Sequence, residues 1–163
     1  MNLHFEDMGV DEEVKIADFF WQVFAEFDCL GYGEVGVNEF KNFILPENIR
    51  GRCATGKFSM LCCKDDAELV GVISMRNNQH VSLLFVKKTY HKLGIASSLF
   101  KLARERCLMK IPHLRCITVN SSPYAIGFYE KIGFTVSRPE QHLYGISFIP
   151  MQITLNSDLN STK

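Results

Sequence analysis

Two predicted helices come first in the pattern of hydrophobic positions along the chain. Between residues 11 and 27, apolar side chains recur every three or four positions, as one face of a packed helix requires. These positions are Val14, Ala17, Trp21, Phe24 and Phe27. The glycine-containing stretch 30–33 ends this helix, and a shorter one is predicted for residues 37–45, before Pro46. A short strand over residues 3–6 precedes both.

Strand patterns dominate the next part of the chain. Three runs of apolar or β-branched residues, at 58–63, 69–75 and 81–86, are separated by turn residues at 65–66 and 77–78. The third run is apolar on both faces, which is typical of a central strand covered by helices.

Alternating helices and strands complete the predicted order. A helix is predicted for residues 92–109, a strand for residues 116–119 and a short helix for residues 123–132. Two closing strands are predicted for residues 134–137 and 144–153. The whole order is β, α, α, β, β, β, α, β, α, β, β. It predicts an α/β fold with a mixed sheet and helices on both faces.

Length and composition fit one soluble domain. The chain has 163 residues, and 47% of them are hydrophobic, which is enough for a core without disulfides or metal. We expect one domain over residues 1–155 and a frayed polar tail over 156–163. No apolar run reaches the roughly 20 residues that cross a bilayer. Because the first residues are acidic, unlike a targeting peptide, we expect a cytoplasmic protein.

The six cysteines show no metal-binding spacing. None forms a CxxC pair, and no histidines lie near them at zinc spacing, so no metal site is predicted. Cys62 and Cys63 are adjacent in a strand pattern and should point to opposite faces of the sheet. Reduced thiols packed as small hydrophobic side chains are the expected state.

Charge is unevenly distributed, although the formal net charge is zero. Residues 1–50 carry eleven acidic side chains against three basic ones, whereas residues 87–106 carry six basic side chains against Glu105 alone. The asymmetry suggests two ligands of opposite charge, although solvated helix faces produce the same pattern. Nucleic-acid binding is disfavoured, because the positive charge is local and no aromatic residues interleave with it.

One motif resembles a nucleotide-binding loop but fails its structural requirements. Residues 51–57 read GRCATGK, the start of the pattern GxxxxGK[ST]. That loop needs Ser or Thr next, and a helix whose N-terminus points at phosphate. Here Phe58 and a strand pattern follow, so this reading is excluded.

The turn after strand 81–86 is a better candidate for binding an anion. Gly94 and Ala96 keep side-chain bulk away from the backbone, so successive N–H groups can converge. The start of a helix adds partial positive charge, and three lysines lie within residues 87–92. This arrangement is suited to a pyrophosphate.

A second segment carries a short helix with defined ends. Residues 120–134 read NSSPYAIGFYEKIGF. Ser122 can cap the helix, Pro123 suits its first position, and Gly133 supplies a left-handed stop. Tyr129 lies on the apolar face of this helix, where a half-buried aromatic residue would pack against the sheet.

Together, these segments resemble the GNAT superfamily of N-acetyltransferases. Residues 91–96, HKLGIA, resemble the family's Q/R-x-x-G-x-G/A motif for acetyl-CoA. Asn120 followed by residues 128–134 resembles its second conserved block. The match is specific over residues 79–134 and departs at His91, where the family has Gln or Arg. The resemblance implies a mostly antiparallel central sheet with a splayed parallel strand pair and helices on both faces.

The resemblance also implies site residues and a reaction. Main-chain groups of Phe85 and Val86, together with Asn120, would bond the pantetheine arm of acetyl-CoA. The backbone N–H groups that would cradle the pyrophosphate belong to His91, Lys92, Leu93, Gly94, Ile95, Ala96 and Ser97. Tyr129 corresponds to the tyrosine that protonates the departing CoA thiolate. An amine would attack the thioester directly, without an acyl-enzyme.

The general base and the acceptor stay open at the level of sequence. Residues 79–86 contain no carboxylate, which leaves His80, Glu34, Glu39 or a water chain as alternatives. In the family, the segment joining the first two helices lines the acceptor site. Here that segment is acidic and would suit a cationic small-molecule or peptide amine; it contains Glu26, Asp28, Tyr32, Glu34 and Glu39. The alternative function is a non-catalytic acetyl-CoA-binding module, and a homodimer is a further expectation.

Overall fold

The computed structural model of the chain describes residues 1–27 and 29–155. The tail predicted for residues 156–163 lies outside the described residues, as does Asp28. In the part described, eight strands form one mixed sheet that is flanked by five α-helices. No helix there combines the length and the apolar character that crossing a bilayer requires.

The elements follow the predicted order closely. The strands are β1 Leu3–Asp7, β2 Phe58–Asp65, β3 Glu68–Arg76, β4 His80–Val86, β5 Cys116–Ser121, β6 Thr135–Val136, β7 Gln141–Leu143 and β8 Ile146–Thr154. The helices are α1 Glu13–Phe27, α2 Glu34–Phe43, α3 Pro46–Ala54, α4 Ile95–Lys110 and α5 Ile126–Lys131. The order across the sheet is β1-β2-β3-β4-β5-β8-β6, and β7 pairs with β8. Among the strands of the described residues, only β4 and β5 pair in parallel, which confirms the predicted fold class.

The sheet separates two hydrophobic cores. Leu99 and Phe134 belong to the core beneath α4 and α5, which we call the α4 core. Phe20 and Phe24 belong to the core beneath α1, α2 and α3, which we call the α1 core. Helices therefore cover both faces of the sheet, as the apolar strand patterns predict.

Two adjacent cysteines illustrate this division. Cys62 belongs to the α1 core and Cys63 to the α4 core, which confirms that they point to opposite faces. Burial raises the pKa of Cys62 to about 12 and that of Cys63 to about 11, so both remain thiols at neutral pH. All six cysteines are free.

A third helix, α3, lies where the sequence pattern ended at Pro46. This proline occupies the first turn of α3, where its missing N–H group costs nothing. Arg50 on α3 binds Glu13 at the start of α1, with 3.2 Å between Arg50 Nε and Glu13 Oε1. The GRCATGK motif thus covers the end of α3 and a turn into β2, which agrees with excluding a P-loop.

Ion pairs within the fold neutralise some of the unevenly distributed acidic and basic side chains. Lys64 Nζ lies 2.6 Å from Glu6 Oε1 and 2.7 Å from Glu12 Oε1, which ties β1, β2 and the start of α1 together. Arg106 on α4 pairs with Asp7 at the end of β1. These carboxylates therefore stabilise the fold, and one of them neutralises Arg106 of the basic segment itself.

Candidate functional site

The parallel pair of β4 and β5 is hydrogen-bonded at one end only. Its ladder consists of His80 opposite Thr118 and Val81 opposite Val119, and it ends there. Beyond this point β4 follows β3, whereas β5 follows β8, so a gap opens between them. Main-chain groups of β4 that face the gap have no partner on β5 and can bond a ligand.

A bulge in β4 lies where the gap begins. Ser74 of β3 pairs with Leu83 and Met75 pairs with Val81, which leaves Ser82 without an opposite residue in β3. A bulge bends its strand and increases the local twist. The bend agrees with the departure of β4 from β5 immediately after Val81.

A cavity of about 170 Å³ lies in the gap between β4 and β5. Its lining residues are Val23, Phe27, Tyr32, Phe40, Ser82, Leu83, Leu84, Phe85, Val86, His91, Val119, Asn120, Ser121, Ser122, Tyr124, Ala125 and Tyr129. Tyr129 belongs to the α4 core and Phe40 to the α1 core. The cavity therefore passes through the sheet from one face to the other.

Five of the residues that the sequence assigns to the site line this one cavity: Phe85, Val86, His91, Asn120 and Tyr129. The remaining ones, residues 92–97, form the adjoining turn and the start of α4. The structure thus brings the two sequence motifs together at the open end of the strand pair.

The turn before α4 presents backbone N–H groups that the helix does not use. The first N–H bonded within α4 is that of Ser98, which donates to the Gly94 carbonyl oxygen at 2.9 Å. The N–H groups of residues 95–97 precede it and have no partner within the helix. Lys92 and Gly94 have left-handed backbone, with φ of 64° and 78°, and such residues turn neighbouring N–H groups toward one side. The turn therefore suits an anion.

His91 makes contacts that the sequence did not indicate. Its backbone N–H donates to the Lys88 carbonyl oxygen at 3.0 Å, which closes a 3-10 turn, so the anion-binding turn begins at Lys92. Its ring Nε2 lies 2.8 Å from the Val86 carbonyl oxygen and donates to it. A carbonyl oxygen has two lone pairs, so Val86 keeps one for a ligand.

The three lysines of this turn differ in their partners. Lys87 Nζ lies 2.5 Å from Glu68 Oε1, and Lys88 Nζ lies 3.8 Å from Glu26 Oε1. Lys92 is exposed and forms no ion pair with any residue in the described ranges. Of the three, Lys92 is the cation with the freest access to a phosphate.

Three stacked aromatic rings lie along the edge of the cavity. The ring of Phe27 lies between those of His91 and Tyr124, with centroid distances of 5.2 Å and 5.5 Å and interplanar angles of 21° and 25°. The stack joins the end of α1 to the turns that follow β4 and β5. Sequence reasoning missed Phe27 and Tyr124, since no local pattern links three residues so far apart.

Tyr129 reaches the cavity from α5 and is 6% exposed. Its ring packs edge-on against Phe128 and Phe134, with centroid distances of 5.2 Å and 5.3 Å. Ser122 caps the 3-10 turn before α5, and Gly133, with φ of 109°, ends the helix, as predicted. These ends hold the tyrosine ring beside the gap.

The side chains considered as general base do not line the cavity. His80 lies at the bonded end of the strand pair, where its Nδ1 is 2.7 Å from Thr118 Oγ1. Burial, helped by nearby Arg76, lowers the pKa of His80 to about 4. Glu34 and Glu39 are exposed on α2. Within residues 1–27 and 29–155, no cluster of three or more His, Cys, Asp or Glu side chains could hold a metal ion.

Comparison with known proteins decides the family. A family model described as an acetyltransferase (GNAT) domain matches residues 30–155 of the chain. The chain belongs to the GNAT acetyltransferase family. A search of curated proteins finds no sequence match.

Solved structures of GNAT proteins share the fold at low sequence identity. A GCN5-related N-acetyltransferase from Rhodopseudomonas palustris superposes with a TM-score of 0.79 and 15% identity, over 95% of this chain and 97% of that one. The PaiA N-acetyltransferase from Thermoplasma acidophilum, in complex with coenzyme A, has a TM-score of 0.70 and 18% identity, over 95% and 100%. An aminoglycoside 6'-N-acetyltransferase complexed with coenzyme A has a TM-score of 0.62 and 14% sequence identity, over 93% of this chain and 96% of that one. The GNAT fold predicted from residues 79–134 is confirmed.

Proposed function

We propose that this GNAT acetyltransferase moves the acetyl group of acetyl-CoA directly to an amine within a ternary complex. The observation that carries the proposal is the gap between β4 and β5. It opens beside the N–H groups of residues 92–97 and contains Tyr129. Two structural relatives with the same fold are complexes with coenzyme A, which supports this choice of ligand.

The residues at the gap fit the chemistry of acetyl-CoA. The turn at residues 92–97 and the free Lys92 side chain would hold the pyrophosphate. Main-chain groups of Val86, together with Asn120, would bond the pantetheine arm in the gap. Those of Phe85 face β3 instead, because Phe85 is opposite Val72 in the register in which the Lys87 N–H donates to the Val70 carbonyl oxygen. When bound, acetyl-CoA supplies a thioester whose carbonyl carbon an amine can attack.

Residues of this chain assist the steps of acetyl transfer. The amine nitrogen forms a C–N bond to the carbonyl carbon, the C–S bond breaks, and its electron pair leaves on sulfur. In this proposal, an N–H of β4 that faces the gap stabilises the negative charge on the carbonyl oxygen. The hydroxyl of Tyr129 donates a proton to the sulfur. The proton of the amine leaves to water, because no carboxylate of the described residues lines the cavity, and water returns a proton to the Tyr129 oxygen.

The missing carboxylate is also what favours the alternative function. A module that binds acetyl-CoA without transferring the acetyl group would keep the gap and the turn but need no base. Tyr129 at the cavity argues for catalysis, since a sensor has no use for a proton donor beside the thioester.

One experiment separates the two functions. The full chain is incubated with acetyl-CoA and a pool of primary amines. Free CoA thiol is followed with a thiol reagent, N-acetylated products are identified by mass spectrometry, and acetyl-CoA binding is measured by calorimetry. We expect amine-dependent CoA release together with an acetylated amine. Binding without amine-dependent release would establish the sensor, and absence of binding would reject both functions.

A further inference from the structure

The cavity has a wall that the proposed cofactor contacts do not use. Val23, Phe27 and Phe40 come from α1 and α2 and line the cavity on the α1 side of the sheet. Tyr129 lines it from the α4 side. An acceptor whose nitrogen reaches the gap beside Tyr129 therefore rests the remainder of its structure against this wall, which we call the α1 wall.

The α1 wall is uncharged. Among the described residues that line the cavity there is no Asp, Glu, Lys or Arg. Three of the acidic side chains expected to attract a cationic acceptor lie outside the lining: Glu34 and Glu39 are exposed on α2, and Glu26 lies 3.8 Å from Lys88. The fourth, Asp28, lies outside the described residues. A second positive charge on the acceptor would find no carboxylate there and would lose its hydration at a cost.

Aromatic packing fixes the shape of the α1 wall. The ring of Phe40 stacks on that of Phe24, with centroids 4.0 Å apart, and the ring of Phe27 lies between those of His91 and Tyr124. A wall that is already ordered costs little to bind against. Because neighbouring rings cover both faces of Phe27 and one face of Phe40, the wall leaves mainly ring edges for contact, and ring edges pack favourably against the face of an aromatic group.

The size of the cavity limits what the wall can receive. Its volume is about 170 Å³. An apolar cavity of about 150 Å³ holds one benzene molecule. Because the acetyl-bearing end of the cofactor shares this volume, one ring or a short alkyl chain is the upper limit for the apolar group, and an oligosaccharide or a long polyamine extends outside.

From the shape and charge of the α1 wall we infer that the acceptor is a monoamine carried on a ring-sized apolar group, such as an arylalkylamine. The inference rests on the proposed acetyl transfer and names its substrate class. The amine lies in the gap beside Tyr129, and the apolar group lies against Phe27 and Phe40. Selectivity comes from burial of that group, since no carboxylate of the described residues lines the cavity to pair with a second positive charge.

An acceptor panel tests this inference on the unmodified chain. At saturating acetyl-CoA, kcat/KM is compared for 2-phenylethylamine, ethylamine, 1,4-diaminobutane, spermidine and glucosamine. We expect 2-phenylethylamine to exceed each of the others by about tenfold or more, which is the discrimination that a few buried carbon atoms provide. Transfer at equal or higher kcat/KM to the diamine, spermidine or glucosamine would overturn the inference and leave acetyl transfer intact. Transfer to no amine, with acetyl-CoA bound, would overturn both.

A charge swap on the α1 wall gives a second test. Phe27→Glu puts a carboxylate at the wall, and Val35→Glu puts one on α2 at an exposed position outside the cavity lining. We expect Phe27→Glu to shift the kcat/KM ratio of 2-phenylethylamine to 1,4-diaminobutane toward the diamine by about tenfold. The ratio should stay unchanged in Val35→Glu and nearly so in Phe27→Leu. An unchanged ratio in folded Phe27→Glu, or an equal shift in Val35→Glu, would contradict the inference. If circular dichroism shows Phe27→Glu to be unfolded, the wild-type panel decides alone.

Discussion

The main-chain N–H and C=O groups at the two ends of the β4–β5 pair are used differently. At the bonded end, His80 and Thr118 complete the ladder, and their side chains share a hydrogen bond. At the open end, the strands bearing Val86 and Asn120 have separated, and a cavity lies between them. The bonded end uses its donors and acceptors to hold the sheet together, whereas the open end leaves them for a ligand. Strand pairing therefore determines where a ligand can bind and where chemistry can take place.

Removing the proton donor at the open end should have the largest effect. Tyr129→Phe keeps the ring that packs against Phe128 and Phe134 and removes only the hydroxyl. We expect kcat to fall by about 10²–10⁴, the range that general acid catalysis contributes, while the Kd for acetyl-CoA stays within about twofold. Steady-state kinetics and calorimetry measure the two quantities.

The matched control for Tyr129→Phe is Tyr124→Phe. It removes a phenol hydroxyl from another ring that lines the same cavity. We expect kcat to be unchanged in this variant. Equal losses in the two variants would show that the cavity needs hydroxyls in general, and would remove Tyr129 from its assigned role.

The turn at the open end should respond to a change of backbone preference. Gly94 has φ of 78°, and an added Cβ would meet no atom within 4 Å, so Gly94→Ala tests conformation without steric overlap. We expect the free energy of unfolding to drop by about 1 kcal/mol and the Kd for acetyl-CoA to rise about tenfold, because the N–H groups no longer converge.

Gly51→Ala is the control for that change. Gly51 lies within α3, and a Cβ there also meets nothing within 4 Å. We expect unchanged acetyl-CoA binding and a gain of up to about 1 kcal/mol in stability, as helix propensity predicts. Loss of binding in both variants, or in neither, would contradict the role of the turn at residues 92–97.

The contribution of the bonded end to the stability of the fold should depend on pH. Burial lowers the pKa of His80 to about 4, against about 6.5 in the unfolded chain. The unfolded state therefore takes up the proton first, so this stability is fully present above pH 6.5 and is lost as pH falls toward 4. Because the side chain is partly exposed, we expect a loss of about 1 kcal/mol from pH 7 to pH 5.

Urea unfolding of wild type and His80→Asn at both pH values measures this contribution. The variant should lack the additional loss of stability at pH 5, and its kcat at pH 7 should match that of wild type. A large fall in kcat would instead make His80 part of the reaction, contrary to its place at the bonded end.

The smallest effect is expected where the ring stack meets solvent. Tyr124 is 65% exposed, and Tyr124→Leu removes one ring from the stack with Phe27. We expect a loss of about 0.5–1 kcal/mol in the free energy of unfolding, the lower part of the range that an aromatic pair contributes, because the ring is largely exposed. Thermal unfolding measures it, and a loss above about 2 kcal/mol would mean that the stack holds the end of α1 in place.

The sequence could predict what local chemistry determines. Gly94 before a helix, the cap at Ser122 and the stop at Gly133 each have a conformational reason that a single residue type expresses. These local signals are sufficient to locate the anion-binding turn and the short helix that carries Tyr129.

The sequence could not predict features that depend on long-range contacts. The contacts of Phe27 with His91 and Tyr124 join three segments that no periodicity links. The extra residue at Ser82 becomes visible only in the register of β4 against β3. At Pro46 the sequence pattern predicts the end of a helix but does not reveal the start of α3, since a proline can equally end one helix or begin the next.

A crystal structure of the protein with acetyl-CoA tests the central claim most directly. We expect the pantetheine arm to lie between β4 and Asn120, the pyrophosphate to contact N–H groups of residues 92–97, and the thioester sulfur to lie within hydrogen-bonding distance of the Tyr129 hydroxyl. Acetyl-CoA bound outside the gap, or a gap closed by continued pairing of β4 with β5, would contradict it.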